Sequence, residues 1–280
     1  MDDPKKISDP TYILLDTSYL IFYRYYALIG WWKLAKPDDE LGNPIDNIEF
    51  VDKFKKTFKE KINEIPKKLK LNKKIKNYKF IASLDCPRKC IWRNLEYGKY
   101  KENRVYDDTF MGGPFFALGI KILEEMNLLT INHPQLEADD CNAILSKYIL
   151  AKNNQCKIYI IANDMDYLQL VSENLQIINL KYKNLTESKK WSGDAKKDLF
   201  CKIVIGDKSD DIPPLFKKCG PKTAIKYYEN PDLFKEQLKK EDVFEKYKKN
   251  KRLIDFNEIP KEYVIELLKS FPETILNINI

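Results

Sequence analysis

The chain has 280 residues, 44% of them hydrophobic, with a formal net charge of +7 and an isoelectric point near 8.8. That much apolar matter supports one large core, or a domain with a small appendage, and excludes a disordered or fibrous chain. No apolar run reaches the length of a membrane span and no signal-like segment precedes the first one. The expectation is a soluble intracellular protein, in cytoplasm or nucleus, with no membrane partner. Six cysteines without a CxxC pair suit reduced thiols better than a disulfide framework. A single histidine, His133, makes Ser-His or Cys-His catalysis implausible.

Residues 1–10 form a polar tail. Tyr12–Leu15 reads as a strand that closes on Asp16, and the stretch from Tyr19 to Trp32 as a helix packed under the sheet. A Pro/Asp/Gly/Asn-rich loop follows at Pro37–Asn47. Over residues 48–72, Ile48, Val51, Phe54, Phe58, Ile62, Ile65 and Leu69 recur at helical spacing among lysines, which predicts an amphipathic helix. Tyr78–Leu84 is a buried strand ending at Asp85, and a basic-aromatic segment runs on to Arg104. Leu118–Leu129 reads as a helix, Leu129–Ile131 as a short strand, and Leu136–Lys152 as a helix with three acids in its first turn. Ile158–Ala162 is a strand, Met165–Val171 a helix and Leu175–Leu180 a strand; from about Asp198 the pattern is helical. The alternation predicts an α/β fold with a mainly parallel sheet flanked by helices.

Nine acids fall at the ends of these runs: Asp16, Asp85, Glu137, Asp139, Asp140, Asp164, Asp166, Asp207 and Asp210. Open α/β folds build their sites at the carboxyl ends of parallel strands. Any one of these acids could simply cap a helix or shape a turn. Gathered together they demand neutralisation, because a buried unpaired carboxylate is very costly. A pair of divalent, oxygen-loving cations, Mg²⁺ or Mn²⁺, meets that demand and points to metal-assisted phosphodiester chemistry.

Two basic segments fit a polyanionic substrate. Between Arg88 and Arg104, basic residues alternate with Trp92, Tyr97 and Tyr100, a pattern suited to phosphate neutralisation with base stacking. The same pattern also suits an exposed helix whose lysines snorkel over an apolar side. Further on, Gly220-Pro221-Lys222 opens a helix whose free N–H groups can grip a phosphate, with Lys217, Lys218 and Lys226 around it. A plain helical joint with proline at its first position is the alternative there.

In combination these motifs resemble the 5′-nuclease superfamily, which includes flap endonucleases, phage RNase H-type 5′-3′ exonucleases and the 5′-3′ exonuclease domain of bacterial DNA polymerase I. LLDTSYLIFYRYYAL resembles the first aspartate motif, whose downstream arginine is Arg24 here. LDCPRKCIWRNLEYGKYKENR resembles the second, with Arg93, Lys101 and Arg104, while LEADD, IIANDMDYLQLV and GDKSDDIPPLFKKCGPKTA resemble the remaining blocks. The resemblance implies a PIN-like α/β/α sandwich over residues 1–197 and a C-terminal helix–three-turn–helix subdomain over 198–280, whose closing segment can pack back on the first. It also implies two divalent ions. One would be held by Asp16, Asp85, Glu137 and Asp139, and the other by Asp164, Asp166 and Asp207, with Asp140 and Asp210 beside them.

On this reading Lys101 and Arg93 contact the scissile phosphate, and Arg24, Tyr100, Arg104, Lys217, Lys218, Gly220, Lys222 and Thr223 contact nucleic acid. The implied substrate is DNA with a duplex portion and a free 5′ end or flap, with RNA–DNA hybrids as a further candidate, and the implied state is a monomer that can meet replication proteins. A K⁺ ion in the helix–three-turn–helix element is also implied. The chain departs from the family there, since Phe216-Lys217-Lys218-Cys219 replaces a glycine-containing loop and Asp211 stands where polymerase-type members have Asn. Two other readings stay open: a PIN-like endoribonuclease, and a catalytically inactive nucleic-acid-binding scaffold.

Overall fold

The computed structural model describes residues 10–71, 78–103 and 109–271. The first half comprises β1 (Thr11–Asp16), α1 (Thr17–Ala35), α2 (Ile48–Lys68), β2 (Tyr78–Ser83), α3 (Trp92–Glu96), α4 (Gly113–Glu125) and β3 (Leu129–Ile131). There follow α5 (Ala138–Lys152), β4 (Lys157–Ile161), β5 (Leu175–Ile178), α6 (Ala195–Ile205), α7 (Pro221–Glu229), α8 (Pro231–Lys240), α9 (Phe244–Ile254) and α10 (Lys261–Ser270). The strands form one sheet in the order β3-β2-β1-β4-β5, and every pairing is parallel. Among the described residues no helix is long and apolar enough to cross a membrane.

Strand β1 lies at the centre, where both faces are covered, so it reads as a continuous apolar run rather than an alternating one. Its side chains nevertheless divide by the two-residue period of a strand. Ile13 and Leu15 point into a layer with Leu20, Tyr25, Trp32, Phe50, Phe54, Phe58 and Phe115 from α1, α2 and α4. Tyr12 and Leu14 point the other way, against α5 and the closing segment through Leu145, Ile149, Phe256, Ile259, Leu267 and Phe271. Thus residues 256–271 help to cover the other face of the sheet.

Helix α2 explains the lysine-rich stretch: Phe50, Phe54, Phe58, Ile62 and Ile65 are buried along one stripe, and the lysines face away from it. Burying each such side chain stabilises by about 1.5–3 kcal/mol. Three shifts from the predicted boundaries have a clear local cause. Helix α2 ends at Lys68 rather than 72, with Pro66 in its last turn and Lys70 in the left-handed region. Helix α4 starts at Gly113, ahead of the expected Leu118, because Pro114 supplies a first turn that needs no N–H. Met165–Leu170 is a 3₁₀ segment, tightened by the Asp164 side chain accepting from the Asp166 N–H at 2.9 Å.

The C-terminal helices enclose a small core of Val204, Leu215, Phe216, Ala224, Phe234 and Leu238. A third cluster, containing Cys86, Ile91, Tyr100, Ile203, Ile212, Leu253 and Ile254, joins it to the residues after β2. All six cysteines are free.

Gly206 ends α6 at φ +79°, and a Cβ there would stand 2.4 Å from the Ile212 carbonyl oxygen and 2.7 Å from the Pro213 carbonyl carbon. Both contacts are backbone, so neither can turn aside. Gly206→Ala should therefore destabilise the protein by about 2 kcal/mol or more, whereas Gly98→Ala, with nothing within 4 Å, should stay within about 0.5 kcal/mol. Denaturant titration of the two variants checks this; equal stabilities would contradict it.

Candidate active site

The sheet order reverses at β1, so the carboxyl ends of β1, β2 and β4 stand side by side. Asp16 is the last residue of β1 and caps α1, accepting from the Tyr19 N–H at 3.0 Å while the Tyr167 hydroxyl donates to its other oxygen at 3.1 Å. Asp85, just past β2, accepts from the Ala138 N–H at 2.8 Å and from the Ser18 hydroxyl. Asp139 accepts from the Asp140 N–H at 2.7 Å. Among the described contacts these three carboxylates take neutral donors only.

Together with Lys101, Glu137 and Asp164 they line a cleft of about 900 Å³. Burial, reinforced by repulsion from Asp85, lifts the Asp16 carboxyl to about 7. Burial likewise raises Asp85, and burial plus the Asp140 charge holds Asp139 well above the ordinary carboxylate range.

Glu137 is different. It sits at the start of α5, where Lys101 donates at 2.6 Å and Arg93 at 3.3 Å, and these cations outweigh its burial and lower its pKa. The Tyr100 hydroxyl lies 3.1 Å from carboxylate oxygens of both Glu137 and Asp210. Asp210 is also 3.9 Å from Lys101 Nζ.

A second group of acids lies beyond. Asp166, Asp207 and Asp210 have carboxylate oxygens within 4.8 Å of one another, as do Glu137, Asp139 and Asp140. In the second group Lys202 of α6 donates to Asp166 and, at 2.6 Å, to Asp207. Burial lifts Asp166 to about 6 against the pull of Lys202, whereas Lys202 and Ser209 hold Asp207 below its usual value despite burial. A cavity of about 640 Å³ extends from Asp166, Lys202 and Asp207 to Pro221 and Ile225 of α7.

Three expectations need correction. Asp140 is wholly buried, and both its oxygens are engaged: Arg93 donates to them at 2.7 and 2.8 Å, Trp92 Nε1 at 3.0 Å and the Glu137 N–H at 3.2 Å. It holds α5 and Arg93 together and does not line the cleft. Arg93, 2% exposed, also donates to the Leu253 carbonyl at 2.8 Å and cannot reach a phosphate in the cleft. Tyr100, 3% exposed, is a core residue rather than a stacking surface. Arg24 is half-buried on α1, where the charges of Tyr23, Glu60 and Glu64 partly offset the burial that lowers its pKa.

The remaining predicted residues fall as follows. Asp164, expected with Asp166 and Asp207, lines the first cleft instead. Lys101, 8% exposed, lies in the cleft wall. Gly220 is the extended residue before α7, where the Thr223 N–H donates to the Gly220 carbonyl at 3.0 Å. Lys217, Lys218 and Lys222 are exposed around it. Arg104 lies outside the described residues.

Ser18, Tyr167 and Lys202 escaped the sequence reading, and Trp92, read there as a stacking residue, instead donates to Asp140. For Lys202 a signal existed: a single charge within the apolar run LFCKIVI needs a buried partner.

The donor set is all oxygen, and five carboxylates line the cleft with two cations, Arg88 and Lys101, while Arg93 behind it is paired with Asp140. This excess of negative charge, with acids forced to hold protons near neutrality, fits divalent cations of the hard, oxygen-preferring kind.

Comparison with known proteins agrees with this geometry. The sequence model of the "5′-3′ exonuclease, N-terminal resolvase-like domain" family matches residues 11–197. A 5′-3′ exonuclease of Buchnera aphidicola (subsp. Acyrthosiphon pisum) is 31% identical over 217 residues, covering 76% of this chain and 68% of the relative. Ribonuclease H of enterobacteria phage T4 is 28% identical over 228 residues, covering 71% of each. In three dimensions the D15 protein of phage T5, crystallised with metal ions, superposes with a TM-score of 0.62 over 95% of this chain and 96% of its own, at 16% identity, a likeness of fold. By its sequence match and its fold, the chain belongs to the 5′-3′ exonuclease family with the N-terminal resolvase-like domain.

Proposed function

We propose that this protein is a metal-dependent 5′ nuclease that hydrolyses phosphodiester bonds in DNA with a duplex portion and a free 5′ end, nick or flap. The observation that carries this reading is the cleft itself: Asp16, Asp85, Glu137, Asp139 and Asp164 converge at the carboxyl edge of a parallel sheet with too few cations to balance them. Mg²⁺ or Mn²⁺ is the proposed ion, held mainly by Asp16, Asp85, Glu137 and Asp139 with Asp164 beside them in the cleft, and a second at Asp166, Asp207 and Asp210. Bound there, divalent cations ease the ionisation of water and neutralise charge on the phosphate under attack.

The chain's own residues supply the rest. Lys101, at the cleft wall, offers a positive charge to the scissile phosphate, and its contact with Glu137 orients it. Tyr100 and Arg93 act through others, by fixing Glu137 and Asp140. Exposed Lys217, Lys218, Lys222 and Lys226, with Gly220 and Thr223 at the start of α7, suit the phosphates of the duplex. The proposed division falls near residue 197, between the sheet body and these helices. K⁺ in the 206–220 connection, RNA–DNA hybrids as substrates, a monomeric state and contact with replication proteins belong to the same proposal.

The test is a panel of 5′-flap, nicked-duplex, RNA–DNA hybrid and single-stranded substrates, each with Mg²⁺, Mn²⁺ or EDTA. Cleavage from the 5′ side of duplex-containing substrates, lost in EDTA, is expected. Cutting of single-stranded RNA alone would favour an endoribonuclease, and no cutting of any substrate a binding scaffold.

Asp164→Asn should lower single-turnover cleavage on the order of 10²–10³-fold while duplex affinity stays within a few-fold. A near-normal rate at saturating Mg²⁺ would remove Asp164 from the site.

Lys222→Ala should instead weaken duplex binding and reduce the slope of log affinity against log salt by about one. An unchanged slope with a collapsed rate would move Lys222 into the chemistry.

The raised carboxyls fix a pH dependence. Asp16, at about 7, and Asp166, at about 6, hold protons in the folded, metal-free protein that the unfolded chain loses near its ordinary carboxylate pKa. From pH 4 to 7 the folded state therefore binds more protons than the unfolded one, and these two groups make stability fall as pH rises. Cation binding requires the ionised forms, so the increase in Tm produced by Mg²⁺ should grow between pH 5.5 and 7.5. Thermal melts with Mg²⁺ and with EDTA measure it; a shift independent of pH contradicts the assignment of these acids to the ions.

A further inference from the structure

The two acidic groups are neutralised in different ways. Around the cleft, Asp16, Asp85 and Asp139 accept from neutral donors among the described contacts, and the nearby cations are drawn to Glu137 and Asp140. In the outer group a cation already sits between the ligands. Lys202 Nζ pairs with Asp166 Oδ1 and with Asp207 Oδ2, the latter at 2.6 Å, and Asp210 completes a trio whose oxygens lie within 4.8 Å.

The backbone delivers this ammonium deliberately. Lys202 is in the last turn of α6, where the helix dipole favours a cation. Gly206 then turns the chain so that Asp207 follows at once, and the Asp207 and Ile212 backbones exchange hydrogen bonds of 2.8 Å in both directions. Asp166 comes from the 3₁₀ segment after β4, held by Asp164. One side chain thus ties two separate parts of the fold.

We propose that Lys202 is a positioning residue that serves as the resident cation of the Asp166/Asp207/Asp210 group, so that a divalent ion binds there only by displacing its ammonium. This rests on the reading that the carboxylates bind divalent ions. Two ions then bind with unequal affinity: in the cleft Asp16, Asp85 and Asp139 take theirs without displacing a cation, while the outer group releases a competitor first. The group keeps its shape when the second ion is absent, because Lys202 prevents Asp166 and Asp207 from repelling each other. A positive charge a few ångströms from a like-charged guest is worth several kcal/mol even in a medium of intermediate polarity. Its removal is therefore measurable as affinity.

The experiment is a Mn²⁺ titration of the metal-free protein, reading free Mn²⁺ by electron paramagnetic resonance, with thermal melts of the same samples in EDTA. The wild type should show a tighter and a weaker class of site. Lys202→Met, which keeps the length and removes the charge, should tighten the weaker class by about tenfold or more and lower the Tm in EDTA, with recovery on adding Mn²⁺. Lys202→Arg should keep both the weak class and the metal-free Tm. Asp207→Asn in the wild-type background should remove the weaker class and leave the tighter one.

If Lys202→Met leaves the weaker class unchanged or weaker still, the ammonium does not compete with the ion and the proposal falls. Should Lys202→Met fail to fold, a Lys202→Gln variant with unaltered weak-class affinity overturns it equally. Binding, not cleavage, is the readout. A protein with two ordered classes of site but no nuclease activity would contradict the proposed function alone, and one with no Mn²⁺ sites would contradict both.

Discussion

Arg93 lies at the meeting point of three parts of the molecule. Its guanidinium gives two parallel hydrogen bonds to Asp140 at the start of α5, a third contact to Glu137, and its Nε to the Leu253 carbonyl at the end of α9. Trp92, next in sequence, adds its indole N–H to the same Asp140 carboxylate. A buried ion pair of this kind gives little net stability against an apolar replacement of the same shape, but loss of one partner leaves an uncompensated charge and costs about 3–5 kcal/mol. Its value is geometric. With Asp140 fixed, the first turn of α5 points Glu137 and Asp139 into the cleft, and with Arg93 fixed, Lys101 on the following segment reaches Glu137.

The remaining acids are constrained by repulsion. Asp16 and Asp85 face each other across adjacent strand ends, since Asp16 pairs in register with Ser83 and Asp85 follows two residues later. Such carboxylates can lie close together only if each has enough hydrogen-bond donors and if protons or cations absorb the excess charge. Tyr19 N–H, Tyr167 hydroxyl, Ala138 N–H and Ser18 hydroxyl provide the donors. The charge itself remains in excess at the cleft, whereas at the outer group Lys202 absorbs part of it. The same sheet edge therefore presents one electrostatically open site and one that is closed by its own side chain.

Much of this was legible in the sequence because buried parallel strands announce themselves as apolar runs and their ends as the first polar residues. All five strands were found, and Asp16, Asp85, Glu137, Asp139 and Asp164 do meet in one cleft. What failed to show was the distinction between an acid that faces a cleft and one that faces a cation. Asp139 and Asp140 are neighbours in sequence, yet a helical step of about 100° turns one to the site and the other to Arg93. The basic-aromatic segment misled for the same reason: its alternation described an exposed, substrate-facing strip, while tertiary packing placed Arg93 and Tyr100 inside. Lys202 is the converse, a lone charge in an apolar run whose partners come from 36 residues upstream in one case and from the adjacent turn in the other. Helix ends moved where proline or a left-handed residue set the boundary, as at Pro66, Lys70 and Pro114.

The connection between α6 and α7 links the two halves of the proposed activity. Asp207 and Asp210 belong to the acidic group, and the same stretch leads to Gly220 and the start of α7. It does not hang free. The Lys101 N–H donates to the Asp210 carbonyl at 3.0 Å, and the Asn103 N–H to the Asp211 carboxylate at 2.7 Å. Asp211 holds this position at φ +58°, a left-handed conformation that Asn and Asp tolerate better than most residues, so the departure from the family's Asn keeps both the backbone shape and an acceptor. Lys218 takes up a similar φ of +60° in the loop where the family carries glycine. The separation between the acids and the start of α7 is thus set by a clamped loop. On the proposed reading, the distance from the gripped duplex to the bond that is cut is a fixed dimension of the fold.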